Sequence, residues 1–119
     1  MAQQCIFCRI VAGELPSDIL YQDDKSVVIR DIHPVAPTHL LIVPRVHIPT
    51  LNHVSPEDAP LLGHLLVVAR HMAREAGLTG EPGDEKGYRV VLNCGRGGGQ
   101  AVFHLHLHLI GGRPLRGIG

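Results

Sequence analysis

The chain of 119 residues has the length of one domain, long enough to bury roughly two-thirds of its unfolded surface and too short for two substantial cores. Apolar residues make up 45% and charged residues 18%, with no low-complexity tract, which excludes disordered and collagen-like classes. Eleven Lys and Arg balance eleven Asp and Glu, so the chain lacks the electrostatic footprint of a protein that grips polymeric nucleic acid, although a single nucleotide needs no such patch.

The opening "MAQQCIFCRI" has no basic leader, and the most apolar window, Leu61 to Ala69, is about half a membrane span and contains His64. A cytoplasmic protein without a membrane segment is expected. Its three cysteines do not form a disulfide framework; Cys5 and Cys8 have the Cys-x-x-Cys spacing used for metals or redox chemistry. Redox activity would expect that pair after a strand in a βαβ pattern, which is absent. Ile6, Ile10 and Val11 recur at helical spacing before Gly13, which predicts a short N-terminal helix.

"DILYQD" and "SVVIRDI" are β-branched and apolar runs separated by Asp23, Asp24 and Lys25, a predicted hairpin. Pro34 and Pro37 then impose a loop before the strand "HLLIVP". From Ser55 the signals turn helical: Ser55 suits an N-cap, Pro56 the first turn, Asp58 a capping box, and Gly77 the stop. Leu61, Leu65, Val68 and Met72 form the core stripe of this long helix. His64 and His71 on it, and His53 before it, have no convergent partner in the pattern and are read as ordinary solvated or core residues.

A polar connection, "TGEPGDEK", leads to two further strands, "GYRVVLN" and "AVFHLHLHLI", joined by "CGRGGGQ". Cys94 reads as a small core residue. The elements predict an α+β domain over residues 1–119: a five-stranded antiparallel sheet with one long and one short helix.

The last strand carries the chemistry. His104, His106 and His108 alternate with Leu105, Leu107 and Leu109, so a period of two sends leucines to a core and imidazoles to the opposite face, about 6.6 Å apart. Three rings so spaced do not easily converge on one ion, but they can divide the tasks of nucleophile and acid around a phosphate. Gly95, Gly97, Gly98 and Gly99 just before them offer backbone N–H groups to an anion, or simply make a flexible turn.

These residues resemble the histidine triad (HIT) family, whose signature here is "HLHLHLI". Together with "DIHPVAPTHLLIVPRVHI", "LLGHLLVVA", "GYRVVLNCG" and "GGQAVFHLHLHLIGG", they resemble its purine nucleoside phosphoramidase branch over nearly the whole chain. The resemblance implies a single HIT domain, a homodimer whose sheets join into ten strands, and hydrolysis of adenosine 5′-phosphoramidate and related compounds to AMP through a nucleotidyl-histidine. It implies His106 as nucleophile, His108 beside it on the phosphate, and His104 and His39 as supporting groups. Asp31, Ile32, Asn93, Gly99, Gln100 and Ala101 would contact ribose, base and phosphate, and Ile6, Phe7 and Ile10 would wall the purine. Members beginning "CIFC" bind structural zinc; here the ligands would be Cys5, Cys8, His47 and His104. Ala101 stands where the branch usually has serine, and "RPLRGIG" lacks its tryptophan-containing tail, which implies weakened catalysis and an altered leaving-group preference. The alternatives are a dinucleoside polyphosphate hydrolase of the same family, a nucleotide-binding regulatory module with incidental catalysis, and a zinc hydrolase using a water nucleophile.

Overall fold

A computed structural model describes residues 5–118. In chain order it contains α1 (Ile6–Val11), β1 (Ile19–Gln22), β2 (Ser26–Arg30), β3 (Thr38–Pro44), α2 (Ala59–Glu75), β4 (Tyr88–Val91) and β5 (Leu107–Gly111). The strands form one antiparallel sheet in the order β1-β2-β3-β5-β4. Among the described residues no helix is long and apolar enough to cross a membrane.

Alternation along the strands divides the apolar side chains between two faces. Val28, Leu40, Ile42, Leu105, Leu107 and Leu109 face α2 and pack with Leu65, Val68, Ala69, Met72 and Ala73. Their neighbours Val27, Ile29, Leu41 and Val43 face the other way and are covered by Phe7 and Ile10 of α1. A helix of six residues suffices there because much of that face is given to histidines instead.

The ends of α2 form as the sequence indicates. Ser55 and Asp58 make a reciprocal capping box around a 3₁₀ turn at Pro56–Asp58, so regular helix begins one turn later, at Ala59. After the last turn Gly77 takes φ 74°, and Leu78 N–H closes on the Ala73 carbonyl at 2.9 Å.

Two expectations need correction. The histidine segment is not strand throughout: β5 begins only at Leu107. Continued beyond Ile42↔Leu107, the register would set Val43 opposite His106 and then Leu105 opposite Pro44, which has no N–H to donate, so pairing ends. Leu105 N–H turns to the Ile48 carbonyl at 2.7 Å, and the side chains nevertheless keep their alternation. Nor is His64 partnerless. Its Nε2 lies 2.8 Å from Asp23 Oδ2, in the β1–β2 turn.

Asp23 is thereby a hub. Lys25 N–H, Ser26 N–H and Ser26 Oγ–H donate to Oδ1, while Tyr21 O–H and His64 converge on Oδ2. Burial pushes the Asp23 carboxyl up, but these hydrogen bonds outweigh it and hold it well below the usual carboxylate range. Asp23→Ala should therefore destabilise the fold by about 1–3 kcal/mol in denaturant titrations at neutral pH. Because the folded-state pKa is depressed, that penalty is present above about pH 4 and shrinks as pH falls below it.

Candidate active site and metal centre

The three histidines lie on the face opposite α2 but do not meet one another equally. His106 and His108 have ring centroids 5.0 Å apart. His104, fully buried, is separated from that pair in function by what its atoms touch: Nε2–H donates to the Pro44 carbonyl at 2.8 Å, and Nδ1 faces Cys5, Cys8 and His47.

His106 is oriented through the main chain. Its Nδ1–H donates to the His104 carbonyl at 2.7 Å, which fixes the neutral tautomer with a lone pair on Nε2. Burial lowers its pKa, partly offset by that hydrogen bond and by the charge of Asp31.

His108 belongs to a chain of hydrogen bonds that begins at the backbone. Val35 N–H donates to His39 Nδ1 at 3.1 Å, so His39 carries its proton on Nε2, and that N–H donates to His108 Nδ1 at 2.9 Å. His108 must then carry its own proton on Nε2. Asp31 Oδ2 stands 3.3 Å from His39 Nε2 and shares this donor, while Oδ1 accepts from His33 N–H at 2.8 Å. Asp31 is held in place at the end of β2 by its own N–H, which donates to the His39 carbonyl. Burial, reinforced by His106 and His39, pushes the His108 imidazole down to about 4, against a smaller upward pull from Asp31.

Two groups of ligand-type atoms each lie within 4.8 Å of one another: Cys5, Cys8, His47 and His104, and Asp31, His39 and His108. Only the first suits an ion. In the second, Val35 N–H already occupies His39 Nδ1, so a cation on Nε2 would have to displace a proton that has nowhere else on the ring to go. In the first, His104 Nδ1 is a lone pair because Nε2–H is given to Pro44. It lies 3.2 Å from His47 Nδ1, 3.3 Å from Cys5 Sγ and 3.5 Å from Cys8 Sγ, and Cys8 Sγ is 3.3 Å from His47 Nδ1. Tetrahedral bonds of about 2.0–2.1 Å to nitrogen and 2.3 Å to sulfur give edges of about 3.3 and 3.6 Å. The cluster could therefore hold a metal. Burial, with Cys5 beside it, pushes the Cys8 thiol up to about 11, a group that ionises readily only when a cation is bound.

The glycine loop differs from its expected use as an anion cradle. Gly95 N–H donates to Gln100 Oε1, and Gly98, Gly99 and Gln100 donate to carbonyls of Gly95 and Arg96. These four N–H groups close a 3₁₀ turn at Arg96–Gly98, and the glycines at 95 and 99 are required by φ values of 77° and 90°. Gln100 is buried with its side chain fully engaged, Nε2 donating to the carbonyls of Pro49 and Val102. It shapes the loop. Ala101 N–H follows this turn without a partner among the described residues. The Asn93 carboxamide lies 3.9 Å from where a Cβ on Gly99 would stand.

Of the expected purine wall, Ile6 is exposed, at 46%, whereas Phe7 and Ile10 are buried; Ile32, expected at the ribose and base, is 85% exposed. Cys94 is half-buried, not part of the core. His71 rests against the Tyr21 ring and His53 Nδ1 lies 2.8 Å from Thr50 Oγ1, both away from the triad. What the residue pattern did not indicate was the backbone's part: the Val35 N–H and the carbonyls of Pro44 and His104 set three tautomers.

A five-stranded antiparallel sheet carrying alternating histidines beside a Cys/His cluster defines a HIT-like α+β protein, and residues 12–115 match the HIT domain. The chain belongs to this family. It is 50% identical over 115 residues to the purine nucleoside phosphoramidase of Escherichia coli strain K12, covering 97% of this chain and 92% of that one. Its structure is similar to that of a HIT family hydrolase from Legionella pneumophila Philadelphia 1, with a TM-score of 0.87, 47% identity and coverage of 92% and 94%. A Zn-bound histidine triad family protein from Mycobacterium smegmatis gives a TM-score of 0.80 at 33% identity, covering 95% of this chain and 78% of that one.

The depressed His108 pKa has a signed consequence. Between about pH 4 and the unfolded value near 6.5 the unfolded chain binds the extra proton, so stability rises with pH across that window and this contribution is constant above it. Thermal melts should show Tm increasing from pH 4.5 to 6.5, with a shallower slope in His108→Gln.

Proposed function

We propose that the protein is a nucleotide hydrolase that cleaves the P–N bond of adenosine or other purine 5′-phosphoramidates and releases AMP. The observation that carries this reading is the hydrogen bond from His106 Nδ1–H to the His104 carbonyl, which keeps Nε2 unprotonated and aligned as a nucleophile. The Escherichia coli relative named a purine nucleoside phosphoramidase supports the substrate class.

In the first step the Nε2 lone pair of His106 forms a bond to the α-phosphorus while the bond to the leaving nitrogen breaks and that nitrogen takes up a proton from solvent. His108, donating from Nε2 because Nδ1 is filled by His39, stabilises the charge that develops on the phosphoryl oxygens. Water then attacks phosphorus and loses a proton to solvent, replacing the one consumed in the first step; the P–N bond to His106 breaks, and a neutral imidazole is restored. Asp31 accepts from ribose hydroxyls and steadies His39; Asn93 and the peptide N–H of Ala101 contact sugar and phosphate; Ile6 and Ile32 flank the base at its rim. Gly99 permits the turn that presents Ala101, and Gln100 locks it. Ala101 supplies no hydroxyl, so phosphate binding there rests on the main chain.

Zinc is the ion we assign to Cys5, Cys8, His47 and His104, on the soft thiolate donors, the distances, and the Zn-bound relative. With four protein donors such an ion would have no position open for water, so it would contribute structure, with Cys5, Cys8, His47 and His104 fastening α1 to the sheet through it. The exposed Leu66 and Val67 of α2 and the open edge of β4 are the surfaces on which we propose a homodimer, with β4 pairing to extend the sheet to ten strands.

Rapid quenching of turnover with adenosine 5′-phosphoramidate should trap a nucleotidyl group on His106, detectable by mass spectrometry; turnover without that adduct would exclude covalent catalysis. His106→Asn should lower kcat/KM by about 10⁴-fold or more. Metal analysis of the purified protein should give one zinc per chain, absent from a Cys5→Ser, Cys8→Ser variant that melts at lower temperature.

A further inference from the structure

The segment between β2 and β3 carries no helix or strand of its own, yet it supplies the N–H that orients His39. Pro34 and Pro37 have no N–H to give. Between Ile32 and Pro37 the main-chain groups with a hydrogen-bond partner among the described residues are His33 N–H, on Asp31 Oδ1, Val35 N–H, on His39 Nδ1, and the Val35 carbonyl. The first two bonds stay within the segment and the strands that flank it. The third leaves it: Arg113 Nη2–H donates to the Val35 carbonyl at 2.8 Å, from 78 residues further along the chain. The N–H and carbonyl of Val35 flank the same Cα, so holding one limits how far the other can turn.

The end of β5 brings Arg113 to this place. A Cβ on Gly112 would stand 3.0 Å from Pro37 Cβ and 3.4 Å from the Thr38 nitrogen, so the absence of a side chain there lets the C-terminal tail pass directly against the proline segment. Arg113, the next residue, then reaches Val35, and its Nη1–H donates to the Pro114 carbonyl at 3.0 Å, which sets the plane of the guanidinium. Arg113 is exposed and Val35 is 57% exposed, so packing fixes neither of them. Hydrogen bonds hold Val35: one to the histidine it orients and one from the tail.

We propose that Arg113 is a positioning residue for His108, acting through the Val35 carbonyl and His39. With that carbonyl held, Val35 N–H stays on His39 Nδ1, His39 keeps its proton on Nε2, and His108 is left with its own proton on Nε2, free to donate. Released by Arg113, the segment can turn Val35 N–H away. His39 can then carry its proton on Nδ1 and accept at Nε2, which draws the His108 proton to Nδ1, toward His39 and away from the phosphoryl oxygens. This rests on the role given above to His108 in stabilising charge on phosphate. Asp31 keeps its place, because its own N–H donates to the His39 carbonyl, so contact with the ribose continues.

The test compares Arg113→Ala and Arg113→Lys in the full-length protein, alongside His39→Gln and the double variant Arg113→Ala, His39→Gln. Imidazole ¹H–¹⁵N spectra without substrate read the tautomers of His39 and His108, and kcat and KM are measured for adenosine 5′-phosphoramidate and for an AMP amide of a bulky alkylamine. In Arg113→Ala the Nδ1 signals of His39 and His108 should shift toward the protonated form, and kcat should fall about three- to thirtyfold, by the same factor for both substrates, with KM within about twofold. Arg113→Lys, which still offers an N–H to the carbonyl, should recover part of both effects. Since the relay is already cut in His39→Gln, adding Arg113→Ala to it should lower kcat by less than about twofold more. Unmoved imidazole signals, a loss confined to KM or to one leaving group, or effects of the two substitutions that multiply in full would each overturn the proposal. Tautomers that shift in a protein whose wild type turns over neither substrate uphold the positioning and overturn the phosphoramidase reading beneath it.

Discussion

One constraint governs the centre of this molecule: a neutral imidazole has a single N–H, and whatever accepts it decides what the other nitrogen can do. The backbone makes that decision three times. The His104 carbonyl takes the proton of His106, the Pro44 carbonyl takes that of His104, and Val35 N–H dictates where His39 keeps its own. Each assignment depends on where the chain leaves regular structure, because only there are main-chain groups available to side chains. The same proline that ends the β3–β5 ladder provides the carbonyl that fixes His104.

The layering of the fold follows from that arrangement. A conventional α+β sheet covers one face with a long helix, and α2 does so with an aliphatic stripe. The opposite face has no full apolar cover: the short α1 shields His104 and His106 while leaving His108 partly exposed. Its attachment through sulfur and nitrogen donors compensates for the small apolar area that six residues can bury.

Much of this was legible in the sequence because it depends on periodicity and on side chains of distinctive chemistry. The alternation from His104 to Leu109, the capping residues Ser55 and Asp58, the stripe of α2 and the Cys5/Cys8 spacing each point to their structural counterpart. Less legible were features in which a main-chain group is the partner. Nothing in "VAPTH" announces that Val35 N–H reaches His39, and a run of glycines does not reveal that Gly98 and Gly99 have already bonded inside their own turn. His64 was equally silent, since helical spacing shows which residues share a face but not that a turn 41 residues earlier delivers Asp23 to it. Phe7 enters as a ligand wall only through the family resemblance, and nothing in the pattern shows that its ring also lies against two imidazoles.

The Cys/His cluster joins chain segments 99 residues apart, from Cys5 to His104. A growing polypeptide therefore cannot close this clasp until His104 has left the ribosome. The N-terminal segment must wait, with two thiols exposed, while the sheet assembles behind it. A product that ends before His104 would carry both thiols without the imidazole that completes their cluster.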